Sequence, residues 1–279
     1  MRKNHTLSNV SRLCYLLGVS RSGYYAWNNR PVSAHKVQDN ELKAELIKQH
    51  HGFRRAYGAP RMHVQIKEEG LSCSRRRITR LMKELNLFSS TKNLYLHLPN
   101  RGKHYSTTCN HLKYVAKPTA KNQQWVGDFT HIRTQNGWLF HAVVMDLFTR
   151  KLIGWSFSQQ RNSLMTQLAL KAALVREVPD NNCIFHSDQG IEYAANDFKA
   201  LVEKSGLIRS MSRKATPIDN AAMESYFHTF KAEAIHGKRF KNQEEATAVS
   251  QKYIAFYNQE RLHSSLGYTT PEKYEKLGL

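Results

Sequence analysis

Three acidic residues, remote from one another along the chain, stand where the local pattern places a strand, the end of another strand and a helix start. Asp128 lies inside the strand-like run Trp125-Val126-Gly127-Asp128-Phe129-Thr130-His131-Ile132. Asp188 follows a short apolar strand, in His186-Ser187-Asp188-Gln189-Gly190, and Glu224 lies near the start of a late helix. In open α/β sheets, sites form beyond the carboxyl ends of strands. Two strand carboxylates overlooked by a third from a helix repel one another. The usual resolution is a hard divalent cation, Mg²⁺ or Mn²⁺, which takes carboxylate oxygens and keeps positions open for a phosphate. Two such ions roughly 3.5–4 Å apart activate the attacking oxygen and stabilise the leaving one in phosphodiester displacement. No Ser, Cys or Lys is placed as a covalent nucleophile. Glu224, His228 and Lys231 fall at i, i+4 and i+7 on one helical face. Lys231 is placed there to hold a nucleic-acid backbone, at a distance that keeps it from cancelling the carboxylate. His228 receives no role, because imidazole suits a Mg²⁺ site poorly. Asp146, closing the second strand, is a decoy with a structural role, and Asp219 or Asn220 caps the late helix.

The elements that must position these acids read as an α/β layer. Strands are predicted at 125–132, 138–145 and 151–158, with turns at Asn136-Gly137 and near Thr149. A helix follows at 164–178, with Leu164, Leu168, Ala172 and Val175 on its inner face. A strand at 183–186, a helix at 194–205, a strand at 208–211 and a helix at 221–234 complete a five-stranded mixed sheet with helices. The tail is helical from about 242 to 258. The front of the chain is helical instead. Residues 7–17 and 21–27 form a helix-turn-helix pattern with Ser20 as a cap. Three helices follow between 40 and 88, with apolar stripes Leu42, Leu46 and Ile47, then Met62 and Ile66, then Ile78, Leu81, Met82 and Leu85. The organisation is therefore 1–35 helix-turn-helix-like, 40–90 a basic trihelical unit, 91–120 a basic linker, 121–235 the α/β core and 236–279 a helical tail.

Charge divides along the same line. Residues 1–120 hold 22 basic and 6 acidic side chains, net +16, whereas the rest of the chain is net +4. A basic front joined to a nearly balanced rear suggests a polyanion-gripping module attached to something else; a generically basic protein of ribosomal type is the alternative. Arg75, Arg76, Arg77 and Arg80 crowd two turns of one helix and repel one another unless a phosphate or acidic partner neutralises them. A phosphate backbone is the expected partner on charge alone, and double-stranded DNA on the resemblance that follows. No apolar run approaches the ~18–20 residues of a membrane span, and the first residues lead into no apolar signal segment. The four cysteines form no CxxC pair. The cytoplasm, with its nucleoid, is the expected location, and no membrane partner is expected.

The acids and their surroundings carry a resemblance. Asp188 and Glu224 are separated by 35 residues and Lys231 stands seven beyond Glu224, which looks like the DDE site of the retroviral-integrase superfamily. Closer still, His186-Ser187-Asp188-Gln189-Gly190-Ile191-Glu192-Tyr193 is similar to OrfB, the catalytic-frame transposase of two-frame bacterial insertion sequences. So are Ser210-Met211-Ser212-Arg213-Lys214, Asp219-Asn220-Ala221 with Glu224-Ser225-Tyr226-Phe227, and Tyr257-Asn258-Gln259-Glu260-Arg261-Leu262-His263-Ser264 with Leu266-Gly267-Tyr268 and Pro271. The match runs from about residue 40 to the end and includes Tyr57-Gly58 and the arginine cluster. Ala215 stands where the family carries glycine, a cost of ~1 kcal/mol if that position needs positive φ.

The resemblance implies an RNase H-like fold and a Mg²⁺-dependent (or Mn²⁺-dependent) site of Asp128, Asp188 and Glu224. Lys231, Arg75, Arg76, Arg77, Arg80, Arg213 and Lys214 are the expected DNA contacts. It implies two reactions: hydrolytic nicking at the element's end, then attack by the freed 3′-hydroxyl on another phosphodiester. Holding two ends together implies a homo-oligomer. No heptads are sustained over three or four repeats, so the zipper of an upstream-frame protein, supplied separately or by fusion, is an expected partner. A non-catalytic DNA-binding regulator and an RNase H-type nuclease acting on RNA–DNA hybrid are the competing readings.

Overall fold

The computed structural model describes residues 10–90, 109–212 and 220–278. Two units divide between Lys48 and Gln49. In the first, α1 (Val10–Leu16) and α2 (Arg21–Asn28) flank a turn where Gly18 adopts φ +64°. The Ser20 hydroxyl accepts from the Gly23 N–H at 3.0 Å, the cap expected from the sequence. α3 (Ala34–Gly52) begins earlier than the apolar stripe suggested, because Ala34–Asp39 holds no helix breaker. Leu42 and Leu46 are buried. Ile47, one position further round the helix, is exposed and does not belong to the stripe.

In the second unit, α4 (Ala59–Glu68) carries Pro60 in its first turn, where the missing N–H costs nothing. α5 (Arg75–Glu84) is capped by Ser74, whose hydroxyl accepts from the Arg77 N–H. Met62, Ile66, Ile78, Leu81 and Met82 are buried, while Arg75, Arg76 and Arg80 face solvent. The sheet follows: β1 (Gln124–Thr134), β2 (Gly137–Asp146) and β3 (Leu152–Ser158) form an antiparallel meander. Gln135 and Asn136 make the first turn, closed by Gly137 at φ +117°. After α6 (Ser163–Arg176) come β4 (Ile184–Ser187), α7 (Ile191–Ala194), α8 (Asn196–Lys204) and β5 (Ile208–Met211). β4 lies parallel to β1 and β5 parallel to β4, giving the order β3-β2-β1-β4-β5. This is the mixed five-stranded sheet expected of an RNase H-like core. α9 (Ala221–Phe230), α10 (Gln243–Gln259) and α11 (Pro271–Leu277) complete the chain. No described helix is long and apolar enough to cross a membrane.

Strand alternation sorts side chains between two layers. On one face Trp125, Ala142, Val144, Ile153 and Phe185 pack with Met165, Ala169, Leu170 and Ala173 of α6 and with Phe198 and Val202 of α8. On the other, His141 of β2 meets Phe227 and Phe230 of α9, and Tyr226 meets Tyr257 of α10. The inner face of α6 differs from the sequence expectation: Leu164, Leu168 and Val175 are exposed, and Met165, Thr166, Ala169, Leu170 and Ala173 are buried. Apolar residues cover most of the circumference of α6, broken chiefly by Gln167 and Lys171, so periodicity alone could not select a face. The choice was made by size, because the helix backbone rests on Gly154 of β3. A Cβ there would meet the Ala169 carbonyl and lie 2.7 Å from the Ala173 nitrogen.

Gly154→Ala is accordingly expected to push α6 off the sheet and destabilise the protein by about 1–3 kcal/mol or somewhat more. A urea-unfolding comparison with wild type measures this; an unchanged midpoint would contradict the contact.

Candidate active site

The register of two strands brings the first two acids together. β1 and β4 pair in parallel with Gly127 opposite Ser187, so Asp128 and Asp188 follow at the same level on neighbouring chains roughly 4.8 Å apart. Trp125 and its register partner Phe185 belong to the layer under α6 and α8. By alternation Asp128 and, two residues beyond His186, Asp188 turn towards the α9 side. Glu224 lies in the first turn of α9, on its exposed surface. The Asp128 carboxyl is held well above the usual carboxylate range, first by burial, then by the facing charge of Asp188 and, more weakly, of Glu224. The Phe129 N–H, donating to Asp128 Oδ1 at 2.8 Å, works in the opposite direction. Asp188 is oriented by the Gly190 N–H, which donates to its Oδ1 at 2.9 Å.

Lys231 reaches the same place. Burial lowers its pKa and Asp128 works against that decrease, so its charge does act on the acid and is not held apart from it. The helix also differs from the uniform α-helix expected over 221–234. It is α-helical to Phe230 and then π-helical over Lys231–Ile235. The wider turn places Glu233 inside, where Arg261 donates to its carboxylate from Nε (2.9 Å) and Nη2 (2.8 Å) and the Tyr253 hydroxyl donates at 2.8 Å. His228 is exposed. Asp146 is buried, accepting from Asn122 N–H and from Thr149 N–H and hydroxyl, all at 2.7–2.8 Å. It builds the β2–β3 turn, as its decoy status required. Asn220 takes the N-cap position of α9 without a side-chain cap bond. Arg213, Lys214, Ala215 and Asp219 lie outside the described residues.

Several supporting residues received no role from the sequence beyond membership of the 186–193 run, save Gln189, which flanks the acids there. His186, fully buried, lies 2.8 Å from the Ser210 hydroxyl at Nδ1 and 3.0 Å from the Ser212 hydroxyl at Nε2, tying β4 to β5 just before Asp188. Gln189 Nε2 donates to the Ser212 carbonyl at 2.8 Å. His141 stacks on Phe157 and backs α9, and burial lowers its pKa to about 4. Glu192, almost fully buried, is paired with Arg161. Among the described residues no three His, Cys, Asp or Glu side chains form a ready metal cluster; Asp188 and Glu224 each act on Asp128 at electrostatic range. Their chemistry nevertheless fits a hard cation. They are oxygen donors only, they come from three elements, and their mutual repulsion is what a divalent charge relieves.

A mixed five-stranded sheet that carries Asp128 midway along its central strand and Asp188 just beyond the parallel neighbour has the architecture of the integrase-core class of enzymes. Residues 118–217 match one integrase core domain family, residues 205–271 a second, and residues 37–94 an HTH-like domain. A 31 kDa uncharacterized protein of insertion element IS600 from Shigella sonnei is 38% identical over 95% of this chain and 99% of its own length. The transposase InsF for insertion sequence IS3A from Escherichia coli (strain K12) is 31% identical over 100% of this chain and 98% of its own. The HTLV-2 integrase catalytic core domain, solved in complex with magnesium, superposes with a TM-score of 0.42 at 15% identity, over 56% of this chain and 98% of that one. The chain belongs to the insertion-sequence transposases, DNA-cleaving enzymes built on an integrase core.

His141 gives the site a pH dependence that needs no substrate. Its folded pKa lies below the unfolded 6.5, so the unfolded chain binds the proton first and stability declines as pH falls from 6.5 towards 4, by about 3 kcal/mol from this group. His141→Phe is expected to flatten that acid limb in urea titrations at a series of pH values; an unaltered limb would show that His141 does not carry it.

Proposed function

We propose that Asp128, Asp188 and Glu224 hold the divalent cations of a transposase site that nicks DNA at the element's ends and joins those ends to a target. The observation carrying this reading is that Asp188 and Glu224, from separate parts of the fold, both bring their charge to bear on the buried Asp128 carboxyl. A magnesium-type cation bound by these oxygens supplies Lewis acidity at the scissile phosphorus and favours deprotonation of the attacking hydroxyl. Lys231, beside Asp128, holds a phosphate oxygen and orients the strand. In the first reaction water adds to the phosphorus and the 3′ oxygen leaves as a free hydroxyl. In the second that hydroxyl attacks a target phosphorus and displaces the target's own 3′ oxygen, so the number of phosphodiester bonds is conserved.

The exposed guanidinium groups of Arg75, Arg76 and Arg80 on α5, with Arg77 half-buried beside them, supply sequence-independent grip on the duplex. Arg213 and Lys214 belong to the same proposed set of contacts by their place in the sequence. Two ends must be held while they are joined, so the working form is an assembly of several copies, with an upstream-frame protein as a further partner. Its place of action is the cytoplasmic DNA.

Asp128→Asn, Asp188→Asn and Glu224→Gln are each expected to lower Mn²⁺-dependent nicking of supercoiled plasmid by about a thousandfold or more while duplex binding persists. Pairs of these changes should cost little beyond the singles, as for groups acting as a unit. EDTA should abolish nicking by the wild type. Cleavage surviving in any of the three would remove that acid from the site. Separately, Arg75→Gln, Arg76→Gln and Arg80→Gln combined should reduce the slope of log affinity against log salt by about 2–3 without changing metal dependence, read by fluorescence anisotropy.

A further inference from the structure

The acid cluster has a cation on the side away from α9 that the reading above does not use. Arg161 precedes α6, and its Nε donates to Glu192 Oε1, with Nη2 at 3.4 Å from Oε2. Glu192 is buried in α7, 2% exposed, whereas the Arg161 side chain is 53% exposed. A carboxylate taken out of water needs a partner, yet a neutralising partner with no other task would be buried with it. This one leans outward. Its guanidinium lies over the Phe129 ring, 5.1 Å from the centroid, next to Asp128 in the chain. Glu192 and, more weakly, Asp188 favour its charged form, and the pKa of His131 is lowered by burial, then by Lys231 and then by Arg161, so both cations reach that imidazole. Gly190 explains how these groups come so close. A Cβ there would stand 2.9 Å from Asp188 Oδ1 and 3.1 Å from Glu192 Oε2, so both carboxylates flank one glycine.

We infer that Arg161 is a further DNA-contacting residue of this site, a guanidinium fork fixed at the rim of the acid cluster by Glu192 and presented to a backbone phosphate opposite Lys231. The inference rests on the reading of Asp128, Asp188 and Glu224 as the active site. The two cations come from different elements, and both act on His131. Phe129 packs against the layer under α6 and α8, so Arg161 stands on that side, while Lys231 comes from the helix covering the other. A strand entering between them is held from both flanks with its phosphorus over the acids. Glu192 occupies the Nε–Nη2 edge, and among the described residues the Nη1 edge makes no hydrogen bond, which leaves it for a phosphate oxygen. Glu192 is a positioning residue: it fixes the direction of the fork and touches no substrate.

The test uses the full chain, supercoiled plasmid with Mn²⁺ for nicking and a labelled random-sequence duplex for binding. Arg161→Gln is expected to raise KM for the plasmid about tenfold and to reduce the slope of log affinity against log salt by about 0.9, one phosphate contact. Arg161→Lys keeps the charge and should retain the slope, yet still raise KM several-fold because the fork is lost. Glu192→Gln should raise KM with the slope unchanged. A folded Arg161→Gln protein with wild-type KM and slope would overturn the inference. If Arg161→Gln fails to fold, Arg161→Lys decides: a wild-type KM there overturns the inference equally. Asp128→Asn run in parallel separates the two claims, since nicking by that variant sinks the acid site itself, whereas its inactivity beside a normal Arg161→Gln sinks only the role of Arg161.

Discussion

Parallel pairing of β1 with β4 is the constraint on which the rest of the molecule depends. It sets Asp128 and Asp188 level with each other on adjacent strands, an arrangement that two like charges oppose. The backbone answers part of that opposition locally, through the Phe129 and Gly190 N–H groups. The fold answers the rest by enforcing the register. Cross-sheet packing of Trp125 and Phe185 holds the strands from below, and His186 bridged to two serine hydroxyls holds β4 against β5. A slip of one residue would send an acid into the apolar layer under α6, so the hydrophobic alternation that forms the sheet also protects the site.

Around this pair the surroundings are divided by sign. The α9 face brings a carboxylate and an ammonium, Glu224 and Lys231; the opposite flank brings the Arg161–Glu192 pair. The cluster is therefore not a bare acidic patch: Asp128 has Lys231 within electrostatic reach, and Asp188 and Glu192 have Arg161. Such a layout suits a polyanionic strand that must approach carboxylates at all, because the flanking cations offset the repulsion the acids exert on phosphate.

Much of this was legible in the residues, and the failures have physical reasons. The strands and their turns followed from alternation and from Asn136-Gly137; Asp146, read as structural or peripheral, is bonded to Asn122 and Thr149 in the fold, partners that its own position in the sequence did not reveal. The face of α6 was misread because a helix apolar over most of its circumference offers little periodic signal, and the deciding factor, the missing Cβ of Gly154, lies on another element. The π-helical turn was invisible for a related reason. Nothing within Lys231–Ile235 asks for it; the partner that rewards it, Arg261, is 28 residues away. Arg161 had no motif about it at all. Its significance exists only once α7 has turned Glu192 inward beneath it.

The same network gives Tyr57 a consequence of its own. Its hydroxyl donates to the Glu260 carbonyl at 3.0 Å and accepts from the Leu262 N–H at 2.9 Å, and Arg61 Nε donates to the Leu262 carbonyl at 2.8 Å. Between these two residues lies Arg261, which grips Glu233 and so the end of the helix that bears Glu224. α4 and the acid-bearing helix are thereby fastened to one short peptide. The arginine-rich helix beside α4 and the helix bearing Glu224 are thus moored to a single strip of backbone, so the spacing between those arginines and that acid is written into the protein's own hydrogen bonds.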